Sequence, residues 1–229
     1  MLRCSSMKIA LCSLSDREDI RGLSWPLMES YCKRHGYDFV TQTELIFKDR
    51  HPSWSKIPFL RRLIQQYDVV AWFDDDILLT QPDTRIESIL RPFLDSDQLI
   101  AASANKTTPF NFGLIVCKST AEQCLEKIND AVTDENRYGL YWEETAGETL
   151  YKTDPTFKEQ VYIFPQGILQ GYHGACTHPD YKWRPKTFSL HASGITPKDY
   201  RIKLMKEAIE ILRLKTRFCL HESSVCDTL

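Results

Sequence analysis

Three consecutive aspartates, Asp74, Asp75 and Asp76, interrupt an apolar run: DVVAWF leads into them and ILLTQP leads out. Adjacent carboxylates repel one another, and beside an apolar strand they also lose solvation. A solvated turn or a helix N-cap accounts for one aspartate. With WF before them and ILL after them, it accounts poorly for three. A divalent cation at a half-buried strand end would hold such groups together, and oxygen ligands suit Mn2+ or Mg2+. Along an extended chain residues i and i+2 point the same way. Asp74 and Asp76 are thus placed to share one metal or metal–phosphate unit, while Asp75 points elsewhere. The bare aspartate–x–aspartate pattern is common, so its surroundings must carry the reading.

Those surroundings alternate strands with helices. MKIALCSLSD (7–16) reads as a strand running into loop-forming residues. Residues 20–35 carry Leu23, Leu27 and Tyr31 at helical spacing, and Gly36 stands where a helix end wants positive φ. A strand at 37–42, a helix at 56–67 and the apolar strand 68–73 follow, and Pro82 closes the next segment. Further strands are expected at 99–103, 114–117 and 161–166, with helices at 121–132 and about 197–220. This order predicts an α/β fold with a mostly parallel, Rossmann-like central sheet flanked by helices, plus a C-terminal helix. Ligands of such sheets bind at the carboxyl ends of the strands, where the aspartates lie.

The chain has 229 residues, 42% hydrophobic and 26% charged, enough for one sizeable core. No Gly/Ser/Pro-rich linker divides it. We expect a single domain over 1–229, with a nucleotide-binding half at about 7–105, an acceptor half at about 106–200 and the helix at about 197–220. A net charge of −2 with scattered Lys and Arg argues against nucleic acid as a partner. None of the eight cysteines forms CxxC, and several lie inside apolar runs, so buried thiols are expected, with a C-terminal disulfide left open. No segment reaches the roughly 18 apolar residues of a membrane span. The expected location is cytoplasmic, or the Golgi lumen if an upstream anchor precedes this chain.

A metal at such a strand end suggests a nucleoside diphosphate whose phosphates it bridges. There is no GxxxxGK[ST] and no GxGxxG, which leaves nucleotide-sugar enzymes and nucleotidyltransferases. RHPSWSKIPFLRRLIQQYDVVAWFDDDILLTQP resembles the core block of glycosyltransferase family 34, which includes galactosyl-, mannosyl- and xyloglucan xylosyltransferases. YCKRHGYDFV, FNFGLIVCKST, YIFPQGILQGY and FSLHASG resemble other segments of that family in the same order.

The resemblance implies the GT-A fold and transfer of a hexose or pentose from a UDP- or GDP-sugar to a glycan hydroxyl, with retention. Asp74, Asp76 and His191 would hold Mn2+ or Mg2+. Cys12, Ser13 and Leu14 would line the nucleoside pocket, with Asp75, Lys56 and Gly194 near the phosphates and Asn111 and Gly113 near the sugar. Lys198 stands later than the family's phosphate-binding lysine. The family's DQ or EQ pair is missing, so Glu144 or Glu148 in YWEETAGETLYK would take its place, and Gln166 of the PQ segment joins the catalytic candidates. Trp142, Tyr172 and Trp183 are candidate stacking surfaces for acceptor sugars. The alternatives are a degenerate, non-catalytic sugar- or nucleotide-binding module and a sugar nucleotidyltransferase. The second should show a glycine-rich loop near the N-terminus, and LCSLSDRED has none.

Overall fold

The computed structural model describes residues 7–172, 182–184 and 186–223, with side chains as far as Arg213. Strand β1 (Ile9–Leu14) lies between β2 (Asp38–Gln42) and β3 (Val69–Phe73), parallel to both. Beyond β3 lie β6 (Asn111–Lys118), β5 (Ile100–Ser103) and β7 (Val161–Phe164), giving the order β2-β1-β3-β6-β5-β7. Only β6 runs against the others, antiparallel to both β3 and β5. The sheet is thus mostly parallel, as expected. The reversal of β6 brings the strand's amino end, Asn111–Gly113, beside the carboxyl end of β3.

Alternation along each strand builds two cores. Val70 and Trp72 of β3 pack with Ile57 and Leu60 of helix α2 (Lys56–Leu63) and Leu125 and Ile128 of α4 (Glu122–Asp130). Val69, Ala71 and Phe73 face the other way, toward Met28 and Tyr31 of α1 (Glu18–His35) and Leu90 and Phe93 of α3 (Ile86–Leu94). Burial on both faces is why β3 reads as one unbroken apolar run. Helices α5 (Asp134–Tyr138), α6 (Trp142–Thr153) and α7 (Pro155–Glu159) follow α4, and α6 packs on it.

A second sheet of three short strands has the order β4 (Ile77–Leu79), β9 (Ser189–His191), β8 (Gln170–Tyr172). Leu78 and Leu190 of this sheet share a third core with Ile20 of α1 and with Leu204, Met205 and Ile209 of the long helix α8 (Lys198–Ser223). The amphipathic tail therefore packs on the body. None of the described helices is long and apolar enough to cross a membrane.

Several expectations shift. The second predicted helix ends at Leu63 rather than at residue 67, and β6 begins at Asn111 rather than 114. YWEETAGETLYK, to which the periodicity assigned no element, forms helix α6. Cys12, Cys32, Cys117 and Cys124 are buried free thiols, and burial pushes Cys124 up to about 11 and Cys32 to about 12. They act as small hydrophobes. Cys4, Cys176 and Cys226, and the side chain of Cys219, lie outside the described residues, and with them the C-terminal disulfide.

Gly36 ends α1 in the left-handed conformation at φ 75°, its N–H donating to the Cys32 carbonyl. An L side chain there costs roughly 1–2 kcal/mol, and no neighbour lies close enough to be struck. Gly36→Ala should lower stability by about that amount with the fold retained, checked by denaturant titration of both proteins.

Candidate functional site

The three aspartates form the junction between the two sheets. β3 ends at Phe73 and β4 begins at Ile77, so Asp74–Asp76 carry the chain from one sheet into the other. Asp74 N donates to the Gly113 carbonyl at 2.8 Å, tying the junction to β6. On the other side Ile77 pairs with His191, and Ala192 N donates to the Asp76 carbonyl at 3.0 Å. Strand register alone thus delivers His191 to the aspartates across more than a hundred residues of sequence. Ligand atoms of Asp74, Asp76 and His191 all lie within 4.8 Å of one another.

Each aspartate has its own cation. Lys56 Nζ, on the first residue of α2, sits 3.1 Å from Asp74 Oδ1. Arg17 Nε donates to Asp75 Oδ2 at 2.9 Å, and its other arm and Ser15 Oγ also donate to that carboxylate. Arg201 Nη1, on α8, donates to Asp76 Oδ2 at 3.0 Å. Charge repulsion by itself therefore does not demand a metal here. What would suit one is the convergence of three ligand atoms. Asp74 Oδ1 is taken by Lys56 and by Trp72 Nε1 at 2.7 Å, and Asp76 Oδ2 by Arg201. The second oxygen of each remains for a ligand, and Asp76 Oδ1 faces His191 Nε2 at 3.3 Å. Two carboxylate oxygens and an imidazole nitrogen fit Mn2+ or Mg2+ with further positions left to phosphate or water. Burial opposes the charge on Asp76, but His191 in its protonated form, with Arg201 and Arg17, outweighs it and holds the carboxyl down to about 2.

Lys56 is neither a solvated lysine nor a free phosphate contact. Only 2% exposed, it donates to Glu143 Oε1 at 2.7 Å and to the Phe112 carbonyl at 2.8 Å, besides its contact with Asp74. Burial disfavours its ammonium, yet Asp74 and Glu143 hold it charged. Glu144 lies buried one residue on. Its Oε2 accepts from Phe112 N at 2.7 Å and Asn111 Nδ2 at 3.0 Å. Burial pushes its carboxyl up to about 8, against the Phe112 hydrogen bond. Glu148 turns away and pairs with Lys152 at 2.7 Å.

A cleft of about 390 Å3 opens over the cluster. Leu14, Leu45 and Trp72 give it an apolar lining, and Arg17, Arg201 and Gly194 a polar one. Of the residues expected at the nucleoside, Leu14 lines the cleft, whereas Cys12 and Ser13 lie fully buried beneath. Asn111 and Gly113 are also beneath it. A Cβ on Gly113 would stand 2.2 Å from His191 Cε1, so the glycine makes room for the imidazole. Lys198 pairs instead with Asp19 of α1 at 2.8 Å. The amide atoms of Gln166 are buried without a hydrogen-bond partner among the described residues, and Gln166 does not line the cleft.

The aromatic candidates separate. Trp142 lines the mouth, its ring stacked on His51 at 3.5 Å and 1°. Tyr141 beside it also lines the mouth, and both residues carry positive φ, 60° and 40°. Such strain costs about 1–3 kcal/mol per residue and clusters at functional sites. Tyr172 stacks on His191, and Trp183 donates from Nε1 to Thr80 Oγ1 at 3.0 Å outside the cleft. Arg17, Arg201, Glu143 and Gln170 belong to the site but escaped sequence reading. Their partners lie 58 or more residues away in three of the four cases, with no local pattern to announce them.

Two measurements check this geometry. Lys56→Met strands Asp74 and Glu143 without their shared cation, and breaking a buried pair in this way costs about 3–5 kcal/mol. A large drop in chemical stability is expected, with partial recovery in Lys56→Met/Glu143→Leu. Glu144 generates a pH dependence. The native state keeps this proton up to about 8, whereas the unfolded chain releases it near 4.5. The native state binds more protons in that window, so this contribution is complete below about pH 4.5 and is lost as pH rises through 8. Glu144→Gln should flatten that part of the stability-against-pH curve.

Residues 28–112 match the galactosyl transferase GMA12/MNN10 family, a stretch holding Lys56 and the three aspartates but not His191. The fold is similar to that of a glycosyltransferase involved in glycosylation of the major capsid of PBCV-1. The TM-score is 0.72 at 17% identity over 87% of this chain and 99% of that one. It is also similar to the galactosyltransferase LgtC, solved with donor and acceptor sugar analogues (TM-score 0.54, 13% identity, 90% and 95% covered). A third likeness is to the glycosyltransferase GlyE of Streptococcus pneumoniae TIGR4 (0.57, 13%, 94% and 64%). No curated protein sequence matches significantly. The chain has the GT-A fold of these glycosyltransferases, and residues 28–112, which hold its aspartate block, are similar to the galactosyl transferase GMA12/MNN10 family.

Proposed function

We propose that this chain is a metal-dependent, retaining glycosyltransferase that moves a hexose or pentose from a UDP- or GDP-sugar to a glycan hydroxyl. The observation that carries the reading is the meeting of Asp74, Asp76 and His191 on the floor of a cleft flanked by Arg17 and Arg201. A divalent cation on those three residues would neutralise the diphosphate as it departs. Arg17 and Arg201 stand beside it as cations suited to phosphate oxygens. LgtC, similar in fold, was solved with both a donor and an acceptor analogue, which fits a cleft of this kind serving two sugars. Retention is what the resemblance to family 34 implies.

The acceptor side of the reading rests on the mouth. Tyr141, Trp142 and His51 offer flat ring surfaces there. Burial, ahead of its charged neighbours, lowers the His51 pKa, so the stack is uncharged at neutral pH and suits the apolar face of a sugar ring. We place the protein in the cytoplasm.

One observation favours a second reading, a non-catalytic donor-binding module: Glu143 and Glu144, where the family's amide pair is missing, are both committed to internal bonds. A thermal-shift screen of UDP, GDP and their sugars, with Mn2+ or chelator, tests the donor site. One nucleotide should raise the midpoint only with Mn2+, and Asp76→Ala should abolish the shift. No shift with any nucleotide would overturn the reading. Nucleotide-dependent stabilisation without release of nucleoside diphosphate, with or without glycan, would select the non-catalytic module.

A further inference from the structure

A chain of side-chain amides runs beneath the cluster from α6 to His191, and backbone donors fix its direction. Gly113 N–H donates to Asn111 Oδ1 at 3.0 Å, which makes that atom the amide oxygen. Asn111 Nδ2 accordingly points to Glu144 Oε2 at 3.0 Å. Gln170 must then offer its NH2 group to Asn111 Oδ1, and it does so at 3.0 Å. Its oxygen, Oε1, is left facing His191 Nδ1 at 3.1 Å. An amide oxygen only accepts, so Nδ1 must carry a proton. The neutral ring therefore keeps its lone pair on Nε2, which is the atom facing Asp76 Oδ1 at 3.3 Å.

We infer that Gln170 is a positioning residue that sets the tautomer of His191, presenting Nε2 as an unprotonated ligand to a divalent cation shared with Asp74 and Asp76. The metal part of this inference rests on the donor-site reading above. The tautomer part does not. Gln170 is fully buried and Asn111 is 9% exposed, so water cannot substitute for either bond without rearrangement. Without the Gln170 acceptor, the proton gains more on Nε2, where Asp76 Oδ1 accepts it, and the ligand atom is then blocked. Partners of this kind to metal-bound histidines typically change metal affinity by about 10–100-fold.

The test uses the whole chain and three proteins: wild type, Gln170→Leu and Gln170→Glu. The 15N shifts of the His191 ring, assigned by comparison with His191→Gln, are recorded without metal at about pH 9, above the ordinary imidazole range. Mn2+ affinity is read from the loss of the free-ion electron paramagnetic resonance signal. Wild type should carry its proton on Nδ1. Gln170→Leu should move it to Nε2 and weaken Mn2+ binding by about 10–100-fold. Gln170→Glu keeps an acceptor at Nδ1, so it should keep the proton there and bind Mn2+ at least as well as Gln170→Leu does. A purely structural role for Gln170 would not move the proton selectively. An unshifted proton in Gln170→Leu with unchanged Mn2+ affinity overturns the inference, as does a proton on Nε2 in Gln170→Glu, which is decisive even if the leucine variant fails to fold. A proton that moves as expected between wild type and Gln170→Leu, with no Mn2+ bound by wild type, supports the role of Gln170 and overturns only the metal site.

Discussion

The structure turns on the placing of three carboxylates at the end of a strand that is buried on both faces. Every aspartate of the junction is matched by a cation from a different helix or helix start: Lys56 from α2, Arg17 from the start of α1 and Arg201 from α8. Unpaired buried charge costs several kcal/mol per ion, a large fraction of the 5–15 kcal/mol that holds a domain folded. The helices cannot leave without exposing that cost. Lys56 carries the most, because it answers Asp74 and Glu143 at once and also satisfies the Phe112 carbonyl. One ammonium thereby pins α2, the end of β3, β6 and α6 together.

From that constraint the two-sheet plan follows. The large sheet ends in aspartates, and the small sheet exists to bring His191 and Gln170 back to them. Its strands are three residues each, too short to hold a sheet by themselves. They are held by the core they share with α1 and α8, where Leu78 and Leu190 are buried. Helix α8 thus does two things with one face: Leu204 and Met205 close that core, and Arg201 reaches Asp76. Reversal of β6 completes the plan, since a parallel strand there would present its carboxyl end and not Asn111–Gly113. Gly113 then leaves the imidazole the space that any side chain would fill.

What the sequence revealed was whatever depends on short spacing. The unbroken run before Asp74 announced a doubly covered strand, Gly36 announced the end of α1, and the aspartates announced a ligand site at a strand end. What it hid depends on long-range partners. Lys56 can also be read as a solvated helix start, and only the fold puts Glu143 2.7 Å away. Lys198 is the first cation after His191 in the sequence, but α8 points it at Asp19 and turns Arg201, one helical turn later, into the cleft. Gln170 sits inside YIFPQGILQGY, a segment in which the resemblance stresses Gln166 of the PQ pair. The register of β8 against β9 decides between the two glutamines, and register is not written in a three-residue strand.

The way the carboxylates are spent bears on the chemistry under the proposed reading. A double-displacement route to retention needs a carboxylate free to attack the anomeric carbon. Asp74, Asp75 and Asp76 are each paired with a cation, Glu143 is bound to Lys56, and Glu144 serves Asn111 and the Phe112 amide. Asp16 also lines the cleft, but it is exposed at the rim rather than buried at its floor. Among the described residues, nothing on the floor is therefore arranged as a nucleophile. What the floor supplies is fixed charge and oriented donors, the kind of site that stabilises a departing anion without reorganising. Under the proposed reading, retention in such a site would fall to the departing diphosphate itself, whose oxygen would be left on the face that the acceptor approaches and would take its proton. The same commitments that make the acidic junction stable thus limit the chemistry open to it.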